Sequence, residues 1–111
     1  MALPFIVTSR IPGIAALCEK HGVSALFLFG SALTEHFRPD SDLDFLVTFS
    51  QVSPAEYADN FFDFRDELSA LFQRKIDLVE SQTLNNPYFK KIVERTKFPV
   101  YARRQSTQVA S

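Results

Sequence analysis

The sequence predicts an α/β domain built on a small mixed β-sheet of three to four strands with helices. Three observations carry that expectation. Short apolar runs at residues 24–30, 42–49 and 75–80 have strand length and are closed by glycine, serine or acidic residues. The segments between them repeat apolar residues at helical spacing. Helical and strand segments alternate in the order α-β-α-β-α-β-α, the pattern of a sheet covered by helices.

Residues 9–22 read as a first helix, with Ile14, Leu17 and Cys18 on one face and Gly22 as its terminator. Residues 24–30, "SALFLFG", read as a buried strand ending at Gly30. Residues 31–37 suit one or two helical turns, and "RPDS" at 38–41 is a turn by composition. Residues 42–49 form the second strand. A long helix follows over 54–74, with Ser53 as cap, Pro54 at the first helical position and Glu56 completing a capping box. Residues 75–80 are the third strand, and residues 86–97 a last helix with Pro87 at its start. Residues 98–102, "FPVYA", suit a short edge strand, where Pro99 is tolerated.

The 111 residues fit one domain, placed at 1–102, with a polar and disordered tail at 103–111. Twelve phenylalanines and no tryptophan predict an aromatic-rich core. A net charge of −1 argues against direct nucleic-acid binding, and the basic pair Arg103-Arg104 lies in the tail. No apolar run is long enough to span a membrane, and Pro4, Arg10 and Pro12 interrupt the N-terminal one, so no signal peptide is expected. Cys18 stands alone, which fits the reducing cytoplasm and a packing role. His21 and His36 lack a second ligand at metal spacing and are read as surface or helix-end residues.

The chemistry concentrates at "FGSALTEHFRPDSDLDFLV". Side chains alternate along a strand, so Asp42 and Asp44 share a face and repel each other. A hard divalent cation, Mg2+ or Mn2+, relieves that repulsion, whereas the same spacing also suits an acidic strand end bathed in water. Gly30-Ser31 suits either a plain turn or a phosphate-binding turn whose following helix presents free N–H groups. Asp77, set in the third strand between Ile76 and Leu78, is either a metal ligand or a salt-bridge partner of Lys75 or Arg74.

Gly30-Ser31, ten intervening residues and Asp42-Leu43-Asp44 resemble the G-S-x10-D-x-D signature of the polymerase β nucleotidyltransferase superfamily, and in particular its minimal nucleotidyltransferase (MNT) domains. The resemblance covers nearly the whole chain. It implies the polymerase β-like nucleotidyltransferase fold, with Gly30 and Ser31 holding the phosphates of ATP. It implies Asp42, Asp44 and Asp77 as catalytic residues and as ligands of two Mg2+ ions. Transfer of a nucleoside monophosphate, AMP, to an acceptor hydroxyl on a partner protein is the implied reaction. The implied setting is the antitoxin of a HEPN/MNT pair, whose partner is a HEPN-domain toxin. A catalytically inactive binding or neutralising subunit of the same fold is the alternative. Many relatives carry an arginine and a glycine soon after the Gly-Ser; here Leu33 and Glu35 stand near those places.

The long helix carries more apolar surface than one sheet face needs. Its surplus aromatic edge, with Phe62 and Phe64 as the exposed candidates, predicts a homo- or hetero-oligomer.

Overall fold

The computed structural model describes residues 3–50 and 52–103. The N-terminal helical region is broken in two. Pro4 caps α1 (Phe5–Thr8), and α2 (Ile11–Lys20) restarts with Pro12 in its first turn. The sequence reading began a single helix at Ser9. Pro12 decides otherwise, because its missing N–H is tolerated only where a helix starts. Gly22, at φ 71°, turns the chain into β1 (Val23–Phe29). A single 3-10 turn, Gly30–Leu33, follows, and then a loop leads to β2 (Leu43–Phe49). Next come α3 (Tyr57–Phe72), β3 (Ile76–Glu80), a 3-10 turn at Ser81–Thr83, α4 (Pro87–Thr96) and β4 (Phe98–Ala102).

The four strands form one mixed sheet in the order β3-β2-β1-β4. β1 pairs antiparallel with β2 and with β4, while β2 and β3 are parallel. The right-handed preference for such parallel crossovers puts α3 across one face. On that face α2 and α3 bury Ile14, Cys18, Phe64, Leu68 and Phe72 against alternate residues of β1, β2 and β3. The opposite face is smaller. There Phe29, Leu46 and Val93 pack together with Phe27, Val79 and Leu84, so α4 covers the second side. The fold is therefore a four-stranded mixed α/β sheet with helices on both faces.

Three expectations change. The capping box at Ser53 and Glu56 does not form: residues 54–56 make a turn, α3 begins at Tyr57, and Glu56 gives no side-chain cap. Phe64 is fully buried, whereas Phe62 is 48% exposed beneath the Arg65 guanidinium, 4.9 Å from its ring centre. Phe64 belongs to the core because its ring meets Phe49 and His21. Other exposed apolar side chains stand on α4, at Tyr88, Phe89 and Ile92, and on α1, at Phe5. Finally, His21 is a buried helix-end residue. Its ring nitrogens lie 2.8 Å from Asn60 Oδ1 and 3.0 Å from Glu67 Oε1.

The aromatic core is otherwise as the composition suggests, with Tyr57, Phe61 and Phe64 clustered about Phe49. Cys18 packs in this core with no exposed surface, and burial pushes its thiol up to about 12, which makes it unreactive. Arg103 extends the β4 edge by donating its N–H to Ser24 O, and residues 104–111 lie outside the described residues. Among the described residues no helix is long and apolar enough to cross a membrane.

Candidate active site

Parallel register sets the site. Asp44 on β2 pairs directly with Asp77 on β3, and both precede residues of the α4 face, Leu46 and Val79. Their neighbours Phe45 and Leu78 point the other way, into the α2–α3 core. Strand alternation thus aims both carboxylates out of the core and beside α4. The two carboxylates are close enough to share a proton, and Asp42, the residue before β2, adds its charge. Burial pushes the Asp44 carboxyl up to about 6, and the charges of Asp77 and Asp42 push the same way. The Ser31 backbone amide beside the carboxyl pulls the other way.

Gly30 stands at the end of β1 with φ +80°, a left-handed conformation that favours glycine. A Cβ placed there would fall on Asp44 Oδ2. The glycine therefore lets the Asp44 carboxylate lie flat against the turn. Thr34 closes the turn, its N–H and hydroxyl donating to Ser31 O at 2.9 and 2.8 Å. The sequence reading expected free N–H groups after Gly30. In the structure the Asp44 carboxylate packs against Gly30 itself, so a carboxylate borders the turn where phosphate was expected.

Asp77 is the outer member of the pair. It is exposed, because β3 is an edge strand whose second face is only partly covered. Among the described residues it forms no salt bridge. Arg74, one of the two candidate partners, donates to Ser41 O at 2.9 Å and lies over the Phe37 ring. Lys75, the other candidate partner, is exposed and outside the cleft lining, as is Arg38.

A cleft of about 760 Å³ opens beside these residues, a volume suited to a nucleotide-sized ligand. Gly30, Asp44 and Asp77 form its polar end, and Phe29, Phe89, Ile92 and Phe98 form an apolar wall. Arg95 and Thr96 of α4 also line it. Sequence reasoning missed this α4 wall. The spacing Phe89, Ile92, Val93, Thr96 marks one helix face, but nothing local says that this face borders the carboxylates. A larger cleft of about 850 Å³, around His21, Asn60 and Tyr101, contains none of the expected site residues.

The donor set fits a hard divalent cation: closely placed carboxylates with no cationic side chain bound to them among the described residues. Among those residues, no group of three or more His, Cys, Asp or Glu is placed to enclose an ion unaided. Ligand oxygens would have to complete the shell.

A mixed sheet with a Gly-Ser turn packed on adjacent-strand aspartates defines a nucleotidyltransferase-like domain. The profile of the nucleotidyltransferase domain family matches residues 14–98, and the chain belongs to that family. It is 38% identical over 78 residues to a provisionally assigned protein adenylyltransferase of Methanocaldococcus jannaschii, spanning 70% of this chain and 76% of that protein. Identity to the protein adenylyltransferase MntA of Thermococcus cleftensis is 28% over 82 residues, spanning 74% of this chain and 80% of MntA. A solved structure described provisionally as a minimal nucleotidyltransferase superposes with a TM-score of 0.71 at 28% identity, covering 89% of this chain and 96% of that one. A toxin–antitoxin structure solved with AMP-PNP shares the fold, with a TM-score of 0.65 at 16% identity and coverage of 90% and 79%.

Proposed function

We propose that this chain transfers AMP from ATP to a hydroxyl on a partner protein, as the antitoxin of a HEPN/MNT toxin–antitoxin pair. The observation that carries the reading is Asp44 beside Asp77, packed on the Gly30-Ser31 turn at the mouth of a nucleotide-sized cleft. Its support is the family membership together with relatives described as protein adenylyltransferases. The fold is also that of an antitoxin solved with its toxin, described as a complex of a tri-AMPylated HEPN toxin and an MNT antitoxin from Shewanella oneidensis.

In this reading Gly30 and Ser31 face the phosphates of ATP. Asp42, Asp44 and Asp77 hold two Mg2+ ions, which when bound screen carboxylate from phosphate and acidify the acceptor hydroxyl. Asp77, the most open of the paired carboxylates, takes the acceptor's proton. The acceptor oxygen attacks the α-phosphorus in line, the bond to the β-phosphate breaks, and pyrophosphate leaves with the electron pair. The exposed rings on α4 at the cleft mouth suit an approaching protein surface.

The second reading, an inactive subunit of the same fold, is favoured by one feature. Leu33 and Glu35 stand near the places where many relatives carry arginine and glycine, and Leu33 is committed to the core. Mass spectrometry after incubation with ATP, Mg2+ and a candidate HEPN-domain partner protein decides between them. A mass gain of one AMP on that protein, lost with Asp44→Asn, supports the enzyme. Stable complex formation with no mass gain supports the neutralising subunit.

A further inference from the structure

We infer that Arg95 of α4 binds the phosphate chain of the nucleotide, supplying the cation that the Gly-Ser turn of this chain lacks. The inference rests on the nucleotidyltransferase reading of the same cleft. Phosphate at the polar end of that cleft meets two carboxylates, Asp44 and Asp77, and needs positive charge beyond the metal. The turn has little to offer. The Asp44 carboxylate packs against Gly30, Leu33 is buried, and Glu35 is acidic.

Among the described residues Arg95 is the sole cationic side chain lining the cleft. Among the described residues it has neither an ion pair nor a side-chain hydrogen bond. Its basic neighbour is committed differently: Lys97 pairs with Glu94 at 2.8 Å and lies over the Phe27 ring. An unpaired surface arginine is ordinary by itself. What sets Arg95 apart is that it shares one cavity with the carboxylates and with Gly30. A guanidinium suits the task, because its planar fork donates two parallel N–H bonds to phosphate oxygens.

The position is secured by elements away from the turn. The Asn86 side chain caps α4 by accepting from the N–H groups of Tyr88 and Phe89 at 2.9 and 3.2 Å. Val93 anchors the helix against Phe29 and Leu46, the latter two residues after Asp44 on the same face. Arg95 is therefore presented from a helix fixed to the strand that carries the site.

Calorimetric titration of wild type, Arg95→Gln and Arg95→Lys with ATP and Mg2+, and with adenosine by competition, tests this. The exposed Arg95 is replaceable by glutamine, a good helix former, without threatening the fold. Arg95→Gln should weaken ATP binding about tenfold and flatten its salt dependence, with adenosine affinity unchanged. Arg95→Lys should keep part of the ATP affinity, since the charge remains but the fork is lost. Equal ATP affinity in wild type and Arg95→Gln overturns the assignment of Arg95 alone. A parallel loss of adenosine affinity also overturns it, because the arginine would then be shaping the cleft. A wild type that binds no ATP overturns the nucleotidyltransferase reading itself.

Discussion

Gly30 and Asp44 occupy one another's space: the Cβ of any other residue at position 30 would fall on Asp44 Oδ2. The turn and the acidic strand are thus a single packed unit, although ten residues separate Ser31 from Asp42.

Gly30→Ala should therefore do more than strain the backbone. The left-handed φ of +80° costs about 1 kcal/mol for alanine, and the displaced Asp44 carboxylate adds loss of Mg2+–ATP affinity. In an Asp44→Ala background the Oδ2 and Cγ contacts are gone and only the Cβ contact at 3.2 Å remains, so the second substitution should cost little beyond the backbone part. Denaturant unfolding of the four proteins in this double-mutant cycle gives the answer. Strict additivity would show that the contact is unimportant.

The Asp44 carboxyl, pushed up to about 6 from 3.8, makes a pH-dependent difference to the metal-free protein. A carboxyl with a raised folded pKa contributes stability that is full below its unfolded value and disappears as pH rises through about 6. Asp44→Asn lacks that dependence. From pH 4 to pH 7 the stability of the variant should rise relative to wild type by roughly 1 kcal/mol, a figure reduced for screening at a half-exposed site. Parallel unfolding curves across that range for wild type and variant would contradict the carboxylate proximity.

Asp42→Asn/Asp44→Asn should lose most Mg2+-dependent ATP affinity and stay folded, since both side chains lie outside the core. Calorimetry in the presence and absence of Mg2+ reads this directly. Unchanged affinity would remove both residues from the metal site.

Asp77→Asn should retain nucleotide and lose transfer by at least about a hundredfold, the range expected for a residue that handles the proton in the transition state. A single-turnover assay separates the two effects. Wild-type rates in the variant would leave Asp77 as no more than an exposed edge-strand aspartate.

Phe62 and Phe64 should respond oppositely to serine. Phe64→Ser empties a fully buried site and should cost about 3–5 kcal/mol, enough to unfold a domain of ordinary stability. Phe62→Ser removes a half-exposed ring and should cost less than about 1 kcal/mol. Thermal melts followed by circular dichroism rank them, and similar losses would mean that Phe62 is core as well.

Local chemistry in the sequence determined the strand that starts just after Asp42, the Gly-Ser turn, the start of α4 at Pro87 and the edge placement of β4 with Pro99. Each of these depends on a residue's own backbone preference or on spacing within a few positions. The signature residues were legible for the same reason, because a turn and a strand must each carry its own motif. Tertiary structure alone decided the rest. The pairing of Asp44 with Asp77 depends on the register of a parallel crossover through α3. The burial of Phe64 rather than Phe62 depends on how that helix is rotated against Phe49. Ser53 and Glu56 match a capping box, yet α3 starts at Tyr57, whose ring packs on Phe49 and Phe61. Arg95 joins the cleft through the docking of α4 by Val93. Sequence periodicity reports which face of an element is apolar. Which neighbour that face meets is a long-range packing outcome, and the composition of this site depends on that outcome.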